Sequence, residues 1–599
     1  MRLYCAMMLS EIGDDRRDSM ATTIQQIHPV AHLPLVLGVL RRLEVATVID
    51  RLIPPHPAHG LSCGRGVEAL VLAILDGHHA LYKVGRRLEE RGMVALLQPG
   101  LTRAALNDYR LGHILDALFA ANLNGVFSAV ALKALEVYAI LTPWLHQDTT
   151  TIALYGLYED EPQTPGAPRP AYGHSKDGRG DLKQVLLSLG VSGDGGLPLR
   201  LGMRDGTTSD SVETPVAIEE CLALGLEGVQ GIVADSKAYS RRTLGLCLEK
   251  GMGLVTLVPR TCAVRQELEA WGQQQPALPL LVEKPGRSKD EACRQWHGHS
   301  VIRSVEVEDS DGRVTQAEVR FLVVHSSQLA QQHTQTYVSA QEKEAEALTD
   351  HVQRVHARWF ACEADAAAAI AEYEQQEPGR RGRRPRPWRY HAVRYRVVAD
   401  TRRTRRGRRG RPAKTDPLPL ESGYRLRVEL EALANPEENN GWMVLATTVG
   451  ADVCGDTDIL QAYQDQNTTV EPGFRWIKNP AAIAPVWLEK PERIAALAML
   501  TVVGLLVYSI IQRQVRLYLR THDQQVPGNK GATATPTAAV VLALFAQVAL
   551  VQFWIGEQEV EQIYGVQLHH LLCCDALGLD RSWYEAPSAQ KSGRGIQTP

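Results

Sequence analysis

The residues from 494 to 511 form a stretch of eighteen amino acids without a single charge, and this stretch limits the folds that are open to the chain. Apolar surface of this extent must leave water, either in a lipid bilayer or in the core of a large domain. Eighteen residues lie near the lower limit for a helix that spans a bilayer, and Arg493 and Arg513 border the stretch closely. We therefore predict a helix buried in a large protein core. A membrane protein anchored through this segment is the alternative.

The length of 599 residues exceeds what one hydrophobic core usually supports, which indicates several folding units. An apolar share of 44% and a charged share of 22% are close to globular averages and exclude a largely disordered chain. The ten cysteines include no Cys-x-x-Cys pair, so we expect a reducing, cytoplasmic location rather than a disulfide framework. A zinc site is not indicated at His569, His570, Cys573 and Cys574, because no second ligand pair lies nearby in the sequence.

Between Leu33 and about Leu141, apolar residues recur at the spacing of helices, with proline and glycine breaks between them. Several short helices in one domain are typical of a helix-turn-helix that binds DNA, and equally of a bundle that mediates dimerisation. We predict a helical domain with one of these two roles.

The sequence then changes to short β-type runs, with helical stretches between the later ones. The order is three strands, a helix, a strand, a helix and a strand, which is typical of an RNase H-like mixed sheet. The runs lie at residues 144–156, 183–192, 197–203, 229–234 and 252–258.

We therefore predict an α/β protein in which an RNase H-like mixed sheet forms a catalytic core. A β-rich and helical insertion domain interrupts this core, and an all-α N-terminal domain precedes it. The predicted divisions are a flexible N-terminus at 1–29, the helical domain at 30–141, the first part of the core at 142–259, the insertion at 260–455, the second part of the core at 456–555, and a C-terminal helical segment and tail at 556–599.

Positive charge is concentrated in the insertion. The net charge of the chain is −3, yet residues 379–414 hold fifteen arginines, one lysine and one aspartate. Such a tract attracts a polyanion by counterion release, and nucleic acid is the commonest polyanion. A solvated basic linker without a ligand is the alternative.

Two aspartates stand where a metal site is expected. Asp148 lies inside the first strand, in Gln-Asp-Thr-Thr-Thr, and Asp235 ends the fourth strand. A lone carboxylate in an uncharged sheet is costly unless it has a partner or a metal. In an RNase H-like sheet the first and fourth strands are neighbours, and ligands gather near the carboxyl ends of strands. The two carboxylates can therefore share a divalent metal, although each aspartate alone is equally typical of a cap or a turn.

Four blocks of the sequence resemble DDE transposases of bacterial insertion sequences, in the branch with a large insertion before the final Glu. The blocks are QDTTTIALYG, YGHSKDGRGDLKQVLLSLGVSGDGGLPLRLGMRDGTTSD, VADSKAYS, and YQDQNTTVEPGFRWIKNP followed by KPERIAALAMLTVVGLLVY. The resemblance covers roughly residues 30 to 555. It implies that Glu471 is the third acidic residue of the site, after Asp148 and Asp235.

The last acid of the family falls in a Tyr-Arg-Glu-Lys signature. Glu471 and Lys478 reproduce its final spacing, whereas Tyr463 comes one residue too early and Asn467 stands at the Arg position. The resemblance implies that Asp148, Asp235 and Glu471 hold metal and that Lys478 contacts DNA. Further candidate DNA contacts are Arg475, Lys176, Arg179, and Arg402, Arg403, Arg405 and Arg406 of the basic tract.

The function implied is metal-dependent cleavage at the ends of an insertion sequence and strand transfer to target DNA. Two Mg²⁺ ions, replaceable by Mn²⁺, would be the cofactor. Double-stranded DNA and a second copy of the chain would be the partners, without a membrane or a nucleotide cofactor. Two alternatives are an RNase H-like nuclease without strand transfer and an inactive relative that binds DNA.

Overall fold

The computed structural model describes residues 22–56, 60–77, 80–158, 164–226, 228–286, 293–375, 388–403, 420–434, 441–478, 488–555, 558–581 and 584. The chain has a mixed α/β architecture and divides into two compact units. Unit 1 comprises residues 1–259, 302–320 and 446–599. Unit 2 comprises residues 260–301 and 321–445.

In the described residues between 33 and 137, unit 1 contains seven α-helices, in the region where helical spacing predicted them. Side chains fix where two of these helices start, because Ser62 accepts a hydrogen bond from the Arg65 amide and Asn107 accepts one from the Arg110 amide. The helices are α1 (Leu33–Arg42), α2 (Val45–Leu52), α3 (Cys63–Leu75), α4 (Leu81–Glu90), α5 (Val94–Leu97), α6 (Asp108–Ala120) and α7 (Leu123–Val137).

A strand precedes these helices and corrects two of the predictions. Strand β1 (Thr22–His28) pairs antiparallel with β15 (Ala549–Ile555), which pairs with β16 (Gln558–Tyr564). Part of the N-terminus that we expected to be flexible is therefore ordered, and the segment after residue 556 is not helical throughout. The segments that form this sheet lie more than 500 residues apart in the sequence. Local sequence patterns do not reveal such a pairing.

Five consecutive strands of a larger sheet lie wholly in unit 1, in the order β4-β3-β2-β5-β6. β2 pairs antiparallel with β3, which pairs antiparallel with β4, whereas β2, β5 and β6 are parallel. The predicted neighbourhood of the first and fourth strand runs is confirmed by the pairing of β2 with β5. The elements are β2 (Trp144–Leu154), β3 (Lys183–Ser192), β4 (Pro198–Arg204), α8 (Asp210–Ala223), β5 (Gly231–Ala234), α9 (Arg241–Lys250) and β6 (Gly253–Leu257).

Two long helices complete the part of unit 1 that matters for the site. Helix α13 (Asp456–Ile477) packs on β2, β5 and β6, and helix α14 (Pro491–Thr521) packs against α3, α6, α7 and β4. Arg493 anchors the start of α14 through two hydrogen bonds to the Asp116 carboxylate, at 2.6 and 2.7 Å. The remaining elements are β13 (Val526–Gly528), β14 (Gly531–Thr533), α15 (Ala538–Leu544) and α16 (Leu568–Leu577).

Helix α14 contains the uncharged stretch. Among the described residues, it is long and apolar enough to cross a membrane, and the bent pair α6 and α7 passes the same test if taken as one span. In this fold, 94% of the apolar window of α14 is buried inside the protein. The stretch thus has a protein core around it, as we expected from the sequence.

Unit 2 carries a long antiparallel hairpin of β10 (His391–Arg403) and β11 (Leu420–Ala432). Helices α11 (Ser327–Ala357) and α12 (Glu363–Gln375) pack on it over a core that includes Val355, Phe360 and Leu426. Part of the arginine tract is therefore a strand, because arginines alternate there with Tyr395 and Val397, which pack on this core. The remaining elements are α10 (Ala263–Gln273), β7 (Leu280–Lys284), and β8 (Arg294–Glu308), β9 (Val314–Ser326) and β12 (Trp442–Thr447), whose residues fall in both units.

We expect Leu505→Asp to unfold unit 1. Leu505 is 2% exposed on α14, so the new carboxylate would be buried without a partner at a cost of several kcal/mol. Leu517→Asp is the matched control, because Leu517 lies on the same helix at 39% exposure, where a substitution changes stability by about 0.5 kcal/mol. Thermal denaturation measures both. Equal melting temperatures for the two variants would contradict the burial of α14.

Candidate active site

Asp148 and Asp235 lie side by side in the sheet of unit 1. In the parallel pairing of β2 with β5, Gln147 is opposite Ala234; Asp148 is the next residue of β2, and Asp235 directly follows the end of β5. The Asp148 carboxylate accepts a hydrogen bond of 2.7 Å from the Thr149 amide. The Asp235 carboxylate caps a short 3₁₀ turn by accepting from the Lys237 amide at 2.9 Å.

The surroundings of both aspartates favour the protonated acid. Burial raises the pKa of Asp148 to about 6, although the nearby Lys176 ammonium opposes this shift. Burial also raises the pKa of Asp235, against the hydrogen bond from the Lys237 amide. The negative charge of Asp210 raises the pKa of both aspartates further. When ionised, Asp148, Asp235 and Asp210 together carry more negative charge than Lys176 and Lys237 compensate, which is a setting that attracts cations.

Glu471 reaches the same region from helix α13. The helix is set on the sheet by the buried Gln466, whose amide nitrogen donates to the Gln147 carbonyl at 3.5 Å. One turn further along, Glu471 is 61% exposed and lies 3.8 Å from Arg475. Both line an open cleft of about 650 Å³, together with Asp148, Lys176 and Lys478. Asp148 and Glu471 thus share one cleft, although they lie 323 positions apart in the chain.

Lys176, Thr149 and Asp210 form a hydrogen-bonded group beside Asp148. The Lys176 ammonium donates to the Thr149 carbonyl at 2.7 Å and to the Thr149 hydroxyl at 2.5 Å, and it lies 3.3 Å from the Asp210 carboxylate. The Thr149 hydroxyl in turn donates to Asp210 at 2.5 Å. Sequence analysis assigned no role to Asp210, although it closes the longest of the four matching blocks and begins helix α8.

A buried ionic network contacts strand β2 at Gln147, the residue before Asp148. The Arg200 guanidinium donates to Glu213 at 2.6 Å and to Glu220 at 2.7 Å, and it also contacts the Gln147 side chain at 3.4 Å. Arg204 binds the same two glutamates. Because Gln147 directly precedes Asp148, this network ties the aspartate strand to helix α8.

The carboxylates of Asp148, Asp235 and Glu471 are the type of ligand that a hard divalent cation binds. Carboxylate oxygens are the ligands that Mg²⁺ and Mn²⁺ prefer, and here two carboxylates are adjacent and a third lines the cleft that one of them borders. Within the described part of the chain, no three His, Cys, Asp or Glu side chains lie close enough together to hold a metal ion. Glu471 would therefore have to move closer to the two aspartates to complete such a site.

The other predicted DNA contacts have acidic neighbours. Lys478 lies 2.5 Å from Asp177, and Arg179 forms two hydrogen bonds of 2.8 Å with Asp181. In unit 2, Arg402 binds Glu421 at 3.0 Å and lies over the Trp359 ring. Arg403 ends strand β10, and Arg405 and Arg406 lie outside the described residues.

The His and Cys group near the C-terminus has a structural role. His570 caps helix α16, because its ring accepts a hydrogen bond of 2.8 Å from the Gln567 amide. Cys573 and Cys574 are buried, and burial raises the pKa of the Cys573 thiol to about 12. His570, Cys573 and Cys574 are therefore buried parts of unit 1 in this fold.

Comparisons with known proteins add little to this geometry. A family model described as "Domain of unknown function (DUF4277)" matches residues 25–132, which cover most of the helical region and a minor part of the chain. No curated protein matches. Among solved structures, the chain is similar to a chain in the cryo-EM structure of a piggyBac transposase synaptic complex with hairpin DNA, at 10% identity. The match covers 50% of this chain and 63% of that chain, with a TM-score of 0.21.

We expect Arg200→Met to destabilise unit 1 by about 3–5 kcal/mol, because the variant leaves the buried Glu213 and its neighbour Glu220 with one guanidinium between them. Arg179→Met is the control, since it removes an exposed ion pair that contributes little to stability. The free energy of unfolding in urea measures both changes. A small and equal change in the two variants would show that the network does not support the strand.

Proposed function

We propose that the chain is a DDE-type transposase that cuts DNA at the ends of an insertion sequence and joins those ends to target DNA. The proposal depends mainly on the adjacency of Asp148 and Asp235 at the ends of two parallel stretches of sheet, with Glu471 in the cleft that Asp148 lines. The strand order, three antiparallel strands followed by two parallel ones, supports an RNase H-like core. We assign Asp148, Asp235 and Glu471 as the catalytic carboxylates.

Two Mg²⁺ ions, or Mn²⁺ in their place, are the cofactor of this proposal, with Asp148, Asp235 and Glu471 as ligands. When bound, they would neutralise the scissile phosphate and favour ionisation of the attacking hydroxyl. The raised pKa values of the two aspartates agree with this role, because a cation would replace the protons that burial favours.

The reaction has two steps of the same kind. In the first, the oxygen of water forms a bond to the phosphorus at the end of the element, and the bond from phosphorus to the 3′ oxygen breaks. A proton passes to that oxygen, so the products are a 3′ hydroxyl and a 5′ phosphate. In the second, the 3′ oxygen attacks a phosphorus of the target, and the 3′ oxygen of the target strand leaves with the proton. The number of phosphodiester bonds is unchanged in this step.

Side chains along the cleft would hold the DNA. Arg475 and Lys478 lie on the helix of Glu471, and Arg475 is 81% exposed. Phosphate oxygens could replace the carboxylates that now neighbour Lys478 and Arg179, because charge-assisted bonds to phosphate are strong. Arg402 and Arg403 of β10, with Arg405 and Arg406, are the contacts that we propose in unit 2. The active form is proposed to be a homodimer in the bacterial cytoplasm, because two element ends must be joined.

Purified protein should nick labelled element-end DNA and join it to a target plasmid in Mg²⁺ or Mn²⁺. Asp148→Ala, Asp235→Ala and Glu471→Ala should each reduce both products to the level of a reaction without metal, because each removes a proposed ligand. Glu219→Ala is the control, since Glu219 is exposed on α8 and absent from the residues that line the cleft.

Each other outcome has a definite meaning. Cleavage without joining would indicate a nuclease of the same fold. Binding of DNA without any metal-dependent product would indicate a relative that has lost catalysis. Full activity of the Glu471→Ala variant would remove Glu471 from the site and leave the two aspartates without their third partner.

A further inference from the structure

We propose that Lys176 and Asp210 are positioning residues, which act as a neutral pair that holds Thr149 and thereby the carboxylate of Asp148 for metal binding. This inference rests on the proposed function and names residues that act through a catalytic group rather than on DNA. It gives Lys176 a role other than the DNA contact that sequence analysis suggested.

The hydrogen bonds form a continuous path to Asp148. The Lys176 ammonium holds both oxygens of Thr149, and the Thr149 hydroxyl donates to Asp210. The Thr149 amide then donates to the Asp148 carboxylate. A second contact fixes the loop that carries Lys176, since its amide donates to the Thr151 hydroxyl at 3.2 Å. Asp148 is therefore oriented by Thr149, which is itself hydrogen-bonded to Lys176 and to Asp210.

The anchor of this path is Asp210, on a helix that buried ion pairs tie to the sheet. Asp210 is the first residue of helix α8, and Glu213 on the same helix binds Arg200 and Arg204 at 2.6 Å each. Arg200 in turn spans strands of the sheet by donating to Ser188 at 2.7 Å and to Gln147. Helix α8 therefore holds Asp210 at a fixed place relative to the strand that carries Asp148.

The charges of the pair explain why Asp210 is needed where Lys176 is present. Lys176 lies near enough to the two catalytic aspartates to act on both of them, and Asp210 acts on both with the opposite sign. An ammonium group beside a metal site repels the metal unless a carboxylate neutralises it. Asp210 supplies this carboxylate, so the pair can orient Thr149 without adding net positive charge to the site.

The pair is tested by Mn²⁺ binding, followed by electron paramagnetic resonance without DNA. We expect Asp210→Asn to weaken Mn²⁺ affinity about ten-fold, because the Lys176 ammonium is then uncompensated and an outer-shell partner is lost. Lys176→Gln alone should not weaken Mn²⁺ binding, since it removes a positive charge. In the double variant the effect of Asp210→Asn should largely vanish, because both charges are gone and a neutral polar pair takes their place.

Two measurements distinguish positioning of Asp148 from direct contact with DNA and from a general loss of folding. The affinity for DNA in EDTA, by fluorescence anisotropy, should stay within about two-fold for Lys176→Gln, and Lys250→Gln, which removes an exposed lysine on α9, is the control. Thermal denaturation identifies variants that do not fold. If Asp210→Asn does not fold, Thr149→Val tests the same path, and we expect it to weaken Mn²⁺ binding as well.

The contrary results are distinct. Unchanged Mn²⁺ affinity in Asp210→Asn, or equal losses in all three variants, would overturn the neutral pair while leaving the proposed function intact. A large loss of DNA affinity in Lys176→Gln would make Lys176 a DNA contact instead. A wild-type protein that binds no Mn²⁺ would overturn the proposed metal site and this inference with it.

Discussion

The parallel pairing of β2 with β5 is the constraint on which the rest of the site depends. Its register sets Gln147 against Ala234, and an aspartate follows each of these two residues in the chain. A shift of one residue would turn one aspartate to the opposite face of the sheet, because side chains alternate along a strand. The buried network of Arg200 and the helix α13 both contact Gln147, so they stabilise the position immediately before Asp148.

Burial has opposite effects on stability around helix α14 and around Asp148. Around α14 it removes apolar surface from water, which stabilises the fold and requires that the buried stretch from 494 to 511 carry no charge. Around Asp148 it raises the pKa of a carboxylate, which costs stability that the apolar core must offset. A carboxylate whose pKa is raised by burial is typical of catalytic sites, where residues contribute to the reaction rather than to folding. Lys176 lowers the pKa of Asp148 and Asp210 raises it, and the pKa remains above its usual value.

The basic tract shows how tertiary structure changes the meaning of composition. Counted along the sequence, its arginines form a strong positive patch. In the described part of the tract, strand β10 places Arg394, Arg396 and Arg402 next to the glutamates of β11, at 3.0 to 3.4 Å. These exposed pairs are weak, so a phosphate can compete for the arginines, but the hairpin is less positive than its sequence suggests.

The sequence by itself determined the local elements and the identity of the two aspartates. Helical spacing, the β-type runs and the position of Asp235 at a strand end are local properties, and so is the apolar character of α14. Only the tertiary structure decided that β1 pairs with β15, that Asp210 stands beside Lys176, and that Glu471 shares a cleft with Asp148. The physical reason is that these contacts join residues from 34 to more than 500 positions apart. Such contacts follow from the way helices and strands pack and not from any local pattern of residues.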